Sequence, residues 1–514
     1  MYNMLKNNIF MKNIVEDKLK SALKDVKASN GDDMNDTGIL FSIKDGLAKA
    51  TGCENLYLNE CVTLHTKKGK TNITGIVISL ESDHINILLL NNAKDALEGM
   101  IVKREKNFFQ VGVGKELLGR VVDGFGNPID NKGTIKTKLK YHVERKAPGI
   151  AQRENVTRAF KTGYKSIDSA IPIGKGQREL IIGDRKIGKS TVARDTIINQ
   201  KGKNVFCIYV CIGQKNSTVA SLVRELTESG AMEYTIVVSA SSSDIAAMQY
   251  FAPYVGCSIA EYFRDNGKDA LIVYDDLTKH AIAYREISLI LRKSPGREAY
   301  PADIFYIHAK LLERAAQMSD REGGGSLTAL PIIETQSGDI SSFIPTNVIS
   351  ITDGQIFLET NLFNNGIKPP VNIGLSVSRI GGDAQTKVMK STVGKLKLIL
   401  SQYKDVEDFA QFGSDLNEDT KRQMVRGRVL IEVLKQYQGE VMEEVDQVMI
   451  LHLAINGVLD SIPVNKIREF EKDFLEYAHV NCKEVIDHIK TGEKMPEKIV
   501  KLLEKSCNDF IKKS

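Results

Sequence analysis

The residues best suited to chemistry lie in one short run, Gly183-Asp184-Arg185-Lys186-Ile187-Gly188-Lys189-Ser190. The chemistry such a run serves is the binding of phosphate. Gly183 and Gly188 let the backbone curl so that its N–H groups converge on phosphate oxygens. Lys189 can reach the outer phosphates as a point charge. Ser190 offers a hydroxyl to Mg2+, a cation that prefers hard oxygen donors. A second pair, Asp275-Asp276, ends the apolar run Ala270-Leu271-Ile272-Val273-Tyr274. An acid at the carboxyl end of a buried strand, downstream of such a loop, would hold the same Mg2+ through a water.

These side chains need a frame. Glu179-Leu180-Ile181-Ile182 reads as a short buried strand and Thr191 to Ile198 as a helix. Strand, glycine loop, Lys-Ser and helix together are the context of a P-loop, with the helix N-terminus adding partial positive charge. Strands then alternate with helices: Val205 to Val210, a helix over Ser217 to Ser229, a strand over Thr235 to Val238, and a mostly helical stretch over Asp244 to Asn266. That order predicts a parallel sheet flanked by helices.

Upstream, short alternating runs such as Ile39 to Ile43, Cys61 to Leu64, Ile73 to Ile78 and Ile85 to Leu88 are separated by Gly, Asn and Asp. They predict a small β-barrel or sandwich. Val15, Leu19, Ala22, Leu23 and Val26 fall on one face of a helix that Ser29-Asn30-Gly31 breaks. From about Val393 the pattern turns helical, with Pro463 and Pro496 as punctuation. The expected organisation is a tail and amphipathic helix over 1–33, a barrel over 34–108, an α/β P-loop domain over 109–392, and a helical bundle over 393–514.

Composition narrows the partners. Of 514 residues, 42% are hydrophobic and 26% charged, as in an ordinary soluble multidomain chain. The net charge of +5 is small for this length, and the barrel region has neither stacked aromatics nor a basic stripe, so no nucleic-acid partner is expected. No apolar run approaches the ~20 residues of a membrane helix. The seven cysteines form no CxxC pair, and Cys207 and Cys211 sit in an apolar strand, which predicts buried thiols rather than a metal site. Met1 to Asn13 lacks a secretory h-region and contains no Arg.

Longer segments carry a resemblance. Gly176 to Arg185, Ile212-Gly213-Gln214-Lys215, Glu261 to Gly267, Pro295 to Pro301, Leu311 to Ala316, Ile344 to Phe357 and Gly374-Leu375-Ser376-Val377-Ser378-Arg379 resemble the alpha subunit of F-type ATP synthase. The likeness spans about Gly38 to the C-terminus. It implies a ring of alternating alpha and beta subunits around a gamma shaft, with delta and the peripheral stalk met by the N-terminal helix. It also implies attachment to the membrane only through the complex, on the cytoplasmic face of a bacterial cell membrane or the matrix face of the mitochondrial inner membrane.

The resemblance assigns further roles. Such subunits bind Mg-ATP or ADP without turning it over, so residues 183–190, Gln214, Gln436 and Gln438 are expected around the nucleotide. Catalytic relatives carry Gly-Glu where this chain has Gly213-Gln214. An amide cannot act as a base, and positioned proton transfer is worth ~10²–10⁴-fold in rate. Arg379 matches an arginine finger reaching the beta subunit's nucleotide, with Ser350, Ser376 and Ser378 at the same interface. Departures are Lys186-Ile187 for Gln-Thr, Ser190 for Thr, Lys368 and Pro370 for Arg and Ala, Asp383 among small neutral residues, and a shortened Gln317 to Gly325 ending in a Gly323-Gly324-Gly325 tie that reads as flexible. The alternatives are an alpha-like paralogue in a specialised rotary or export complex, and a Rho-like RNA translocase.

Overall fold

The computed structural model describes residues 36–512, except 45, 67, 68, 92 and 411–417. The amphipathic helix expected over Val15 to Val26 lies outside the described residues.

Six strands close a barrel: β1 (Thr37–Lys44), β2 (Leu47–Gly52), β3 (Glu60–Thr66), β4 (Gly69–Leu80), β5 (Ile85–Leu89) and β6 (Ile101–Phe108), in the order β1-β2-β5-β4-β3-β6. Closure removes exposed strand edges. Leu40, Val62, Leu64, Val77, Ile87, Leu89 and Val102 fill the interior. Gly75 on β4 gives Ile87 its room, since a Cβ there would stand 2.4 Å from Ile87 Cγ2. β2 was not expected from the pattern. Its buried interior positions include Ala48 and Ala50, which are too small to mark an apolar face.

The central domain is built on eight strands. They are β7 (Val121–Asp123), β8 (Leu180–Gly183), β9 (Val205–Gln214), β10 (Thr235–Ser241), β11 (Asp269–Asp275), β12 (Ser326–Glu334), β13 (Gly354–Leu358) and β14 (Val377–Ser378). The spatial order is β14-β13-β8-β12-β11-β9-β10-β7, parallel except for β14 against β13. β8, β10 and β12 are almost wholly buried, as a sheet covered on both faces requires. The strand-to-helix alternation places the ends of β8, β9, β11 and β12 along one carboxyl edge, where open α/β sheets bind ligands.

The C-terminal domain is helical. Its helices include Leu396–Ala410, Glu418–Leu434, Glu444–Ile455, Ile467–Asn481, Lys483–Lys490 and Glu497–Ile511. Glu444–Ile455 is its centre, with every residue from Gln447 to Ile455 buried. This domain shares one continuous apolar core with a face of the central sheet.

The Gly323-Gly324-Gly325 tie differs from its expectation. Gln317 Nε2 donates to Met318 O at 2.9 Å and Gly324 O at 3.0 Å, and Met318 N–H donates to Gly325 O at 2.8 Å. A Cβ on Gly325 would stand 2.1 Å from Arg264 O. The glycine is there for close backbone packing.

A buried ion pair braces the central domain. Arg314, 1% exposed, donates to Glu261 at 3.0 and 2.7 Å, to Val143 O at 2.9 Å and to Ser258 Oγ at 2.8 Å. Arg314 is the one donor to both Glu261 oxygens among the described residues; without it that buried carboxylate keeps only Arg145 at 3.0 Å and Arg264 at 3.5 Å. Arg314→Met is expected to lower stability by about 3 kcal/mol, read as a lower urea midpoint. Arg314→Met with Glu261→Gln should recover part of it.

Candidate functional site

The loop between β8 and the helix Lys189–Ile198 opens into the largest cavity described, about 1250 Å³. Its wall brings together Arg185 to Val192, Gln214, Asp275, Asp276, Gln436 and Gln438, residues drawn from the central and the helical domain. Gly188 has φ 102°, a left-handed conformation that costs a glycine little. Lys186 has φ 64° and is exposed. That turn presents its ammonium at the mouth of the cavity.

Asp275 is the hub of the polar floor. Its Oδ2 accepts from Ser190 Oγ at 2.8 Å and from Tyr209 OH at 2.7 Å, and its Oδ1 accepts from Gln214 Nε2 at 3.1 Å. Asp276 Oδ1 accepts from Lys279 N–H at 2.8 Å and so caps the helix Leu277–Ile290. Burial, with Asp275 and Glu334 adding negative charge, pushes Asp276 up to about 6, while Lys279 opposes the shift. Lys189 is buried and donates to Gly183 O at 2.8 Å and to Asp184 O. Burial lowers its pKa, and Glu334, Asp276, Asp275 and Asp184 offset part of that.

Several side chains of the expected nucleotide-binding set are also bonded within the chain. The Asp184 carboxylate accepts from Thr335 Oγ1 at 2.7 Å, Gly338 N–H at 2.8 Å and Thr360 Oγ1 at 2.8 Å. It fastens the loop to the segments after β12 and β13. The Ile187 side chain is buried in the apolar core and anchors the loop from below. Gln436 reaches the wall, yet its amide donates to Gly163 O at 2.9 Å and Glu440 O at 2.7 Å and accepts from Lys165 N–H at 2.6 Å. Those bonds seal the helical domain to the central one. Gln438 turns its amide oxygen to the Arg194 guanidinium, at 2.8 and 3.1 Å.

Other wall residues went unnoticed in the sequence. Lys279 and Glu334 face the cavity, and Arg185 Nε lies 3.5 Å from Glu334 Oε1. Glu334 carries the same signal as Asp275, an acid ending a buried strand. Tyr209 gave none, because a tyrosine in mid-strand reads as core.

The other expected residues gather elsewhere. Arg379 follows β14, which pairs Ser378 with Gly354 at the start of β13, whereas the P-loop follows Gly183, level with Leu358 at the end of β13. Arg379 is exposed at the amino edge of the sheet, and its N–H donates to Asp353 O at 2.8 Å. Ser350 is exposed nearby and its hydroxyl donates to Asn347 O at 2.6 Å. Ser376 is 1% exposed; it donates to Asn372 O at 2.6 Å and accepts from Phe357 N–H at 2.9 Å, so its hydroxyl is committed within the chain. Ser378 Oγ donates to Pro172 O at 2.6 Å. Asp383 lies 3.2 Å from Lys390 Nζ, which neutralises the acid near Arg379.

Residues 163–378 match the ATP synthase alpha/beta family, nucleotide-binding domain, and residues 385–510 match the ATP synthase alpha/beta chain, C terminal domain. The ATP synthase subunit alpha of Petrotoga mobilis is 52% identical over 486 residues, covering 95% of this chain and 96% of that protein. That of Clostridium botulinum is 51% identical over 475 residues, covering 92% and 93%. The chain belongs to the alpha subunits of F-type ATP synthase. The match runs through barrel, sheet and helical domain alike, which sets aside the RNA-translocase alternative. Among the described residues no helix is long and apolar enough to cross a membrane.

The cavity of an alpha subunit binds nucleotide, and Lys189 is a buried cation on its wall, next to the loop carbonyls. Lys189→Ala is expected to weaken ATP binding by about 2 kcal/mol, roughly thirtyfold in Kd. Equilibrium dialysis on the folded chain checks it; undiminished affinity would remove the P-loop role.

Proposed function

We propose that this chain is the non-catalytic, Mg-ATP-binding alpha subunit of a proton-translocating ATP synthase. It alternates with beta subunits around a gamma shaft and meets delta and the peripheral stalk through its N-terminal segment. The complex sits on the cytoplasmic face of a bacterial cell membrane. The observation that carries the reading is Gln214. It stands at the end of β9 on the cavity wall, where a base would orient attacking water, and its amide donates 3.1 Å to Asp275. A group fixed as a donor to a carboxylate cannot take a proton from water.

The donor set fits Mg2+. Ser190 Oγ and Asp275 are hard oxygens 2.8 Å apart beside the loop. Among the described residues no cluster of three or more His, Cys, Asp or Glu could hold a metal by itself. That suits Mg2+, which keeps several waters and takes only one or two protein ligands along with phosphate oxygens. When bound, the ion would neutralise charge on the β- and γ-phosphates. Ser190 and Asp275 would orient it, Lys189 would turn from the loop carbonyls to the phosphates, and the loop N–H groups would hold their oxygens.

Arg379 completes the reading. It sits at the opposite sheet edge from its own P-loop, so it serves a neighbour's nucleotide. A guanidinium stabilises charge spreading over a transferring phosphoryl group by ~10³–10⁵ in kcat in comparable systems. In the assembled complex, Arg379→Ala should cut steady-state ATPase by at least about 10²-fold while subunits still co-purify in normal ratio. The isolated chain should bind ATP but hydrolyse almost none; brisk hydrolysis by it would overturn the proposal.

A further inference from the structure

Glu179 is the acid of the central domain that the nucleotide site does not use. It precedes β8 and is fully buried. The strand registers place it in a row. β8 pairs Leu180 with Gln355, and β13 pairs Gly354 with Ser378. Glu179, Gly354 and Ser378 therefore lie side by side on three neighbouring strands. The middle position has no side chain, and the Glu179 carboxyl uses the room. A Cβ on Gly354 would stand 2.7 and 2.9 Å from its two oxygens. Oε2 accepts from Gln177 Nε2 at 2.7 Å, and the same amide donates to Ser378 Oγ at 3.2 Å. Oε1 has no hydrogen-bond partner among the described residues. The next residue beyond the row is Arg379.

The charged groups facing Glu179 are Asp353, Arg379 and Lys397. Burial, reinforced by Asp353, holds the Glu179 carboxyl well above the usual carboxylate range, while Gln177, Arg379 and Lys397 pull it down in part. Asp353 is itself taken, accepting from Arg178 Nε at 3.0 Å, Nη2 at 2.8 Å and its backbone N–H at 3.0 Å. Of the two acids, the one with an open acceptor is therefore Glu179, at Oε1.

We propose that Glu179 is a positioning residue for Arg379, offering a seat into which the guanidinium withdraws from the neighbouring subunit's nucleotide. The proposal rests on Arg379 acting in trans. A neutral Glu179 makes no demand on the guanidinium, which stays exposed and reaches outward. An ionised Glu179 in a dry site requires a charged donor, and Oε1 is where that donor docks. The finger thus has an engaged and a retracted position, and the protonation of one buried carboxyl sets their ratio. Lys397, from the helix Leu396–Ala410, faces the same acid from another element but lies off the hydrogen-bonded row.

The test uses the assembled complex and its ATPase across pH. Glu179→Gln keeps the shape and the bond to Gln177 but cannot ionise. Glu179 titrates above the usual carboxylate range, so wild type and variant should match at the acid end of the profile, and as pH rises the variant should come to exceed wild type by at least about threefold in kcat, with KM unchanged. Glu179→Asp, too short to cross Gly354, should behave like the Gln variant. Lys397→Met should leave the ratio as it is. Parallel pH profiles, a Gln variant slow at every pH, or a ratio abolished by Lys397→Met would each overturn the seat. Arg379→Ala is run alongside. If it turns over normally, the trans-acting reading has failed, and with it the premise; if it is crippled while the profiles stay parallel, the seat alone has failed.

Discussion

The carboxylate of Asp275 holds the site together. It accepts from Ser190 at the start of the P-loop helix, from Tyr209 in mid-β9 and from Gln214 at the end of β9. Three donors from two elements converge on one anion at the end of a third. Each bond to a charged acceptor is worth about 1.5–3 kcal/mol. Together they fix the spacing between the loop that binds phosphate and the strand ends that present the metal-binding oxygens. The same convergence holds Gln214 by its donor face, while the want of a base at that position follows from the amide itself.

The sheet separates two tasks by its polarity. Its carboxyl edge carries the P-loop, Asp275, Asp276 and Glu334; its amino edge carries Ser350, Ser378 and Arg379. A single chain cannot bring both edges to one nucleotide without breaking β8 and β13 between them. In the ring proposed above, one subunit's amino edge would meet the next subunit's cavity. The exposure of Arg379 beside the well-bonded Ser376 and Ser378 follows from that division. The serines fix the backbone, and the guanidinium projects from it.

The sequence made the frame legible where the physics is local. The P-loop, the buried strands around it and the acid ending β11 all follow from short-range pattern, and the structure sets them where those patterns point. What the sequence did not disclose depends on distant partners. Asp184 belongs to a phosphate-binding run by position, but its carboxylate meets Thr335 and Thr360 from two later segments. Gln436 touches the cavity by alignment with relatives, but its amide is consumed by Gly163, Lys165 and Glu440. β2 was hidden because its buried positions include Ala48 and Ala50, too small to mark an apolar face. The triple glycine read as slack because composition cannot distinguish a mobile loop from backbone packed 2.1 Å from where a Cβ would stand.

The helical domain is coupled to the phosphate loop by a second buried anion. Asp195, on the P-loop helix and fully buried, accepts from Arg194 at 2.9 and 2.6 Å, from Tyr164 OH at 2.6 Å and from Gly439 N–H at 2.8 Å. Gly439 belongs to the segment after the helix Glu418–Leu434, and Gln438 beside it holds the Arg194 guanidinium. Tilting the helical domain away would strip a donor from a carboxylate that has no water to replace it, at about 1–3 kcal/mol per lost partner. Sliding the P-loop helix instead would strain the Ser190 bond to Asp275. The lower-energy course is for the loop helix and the 436–439 segment to move as one body.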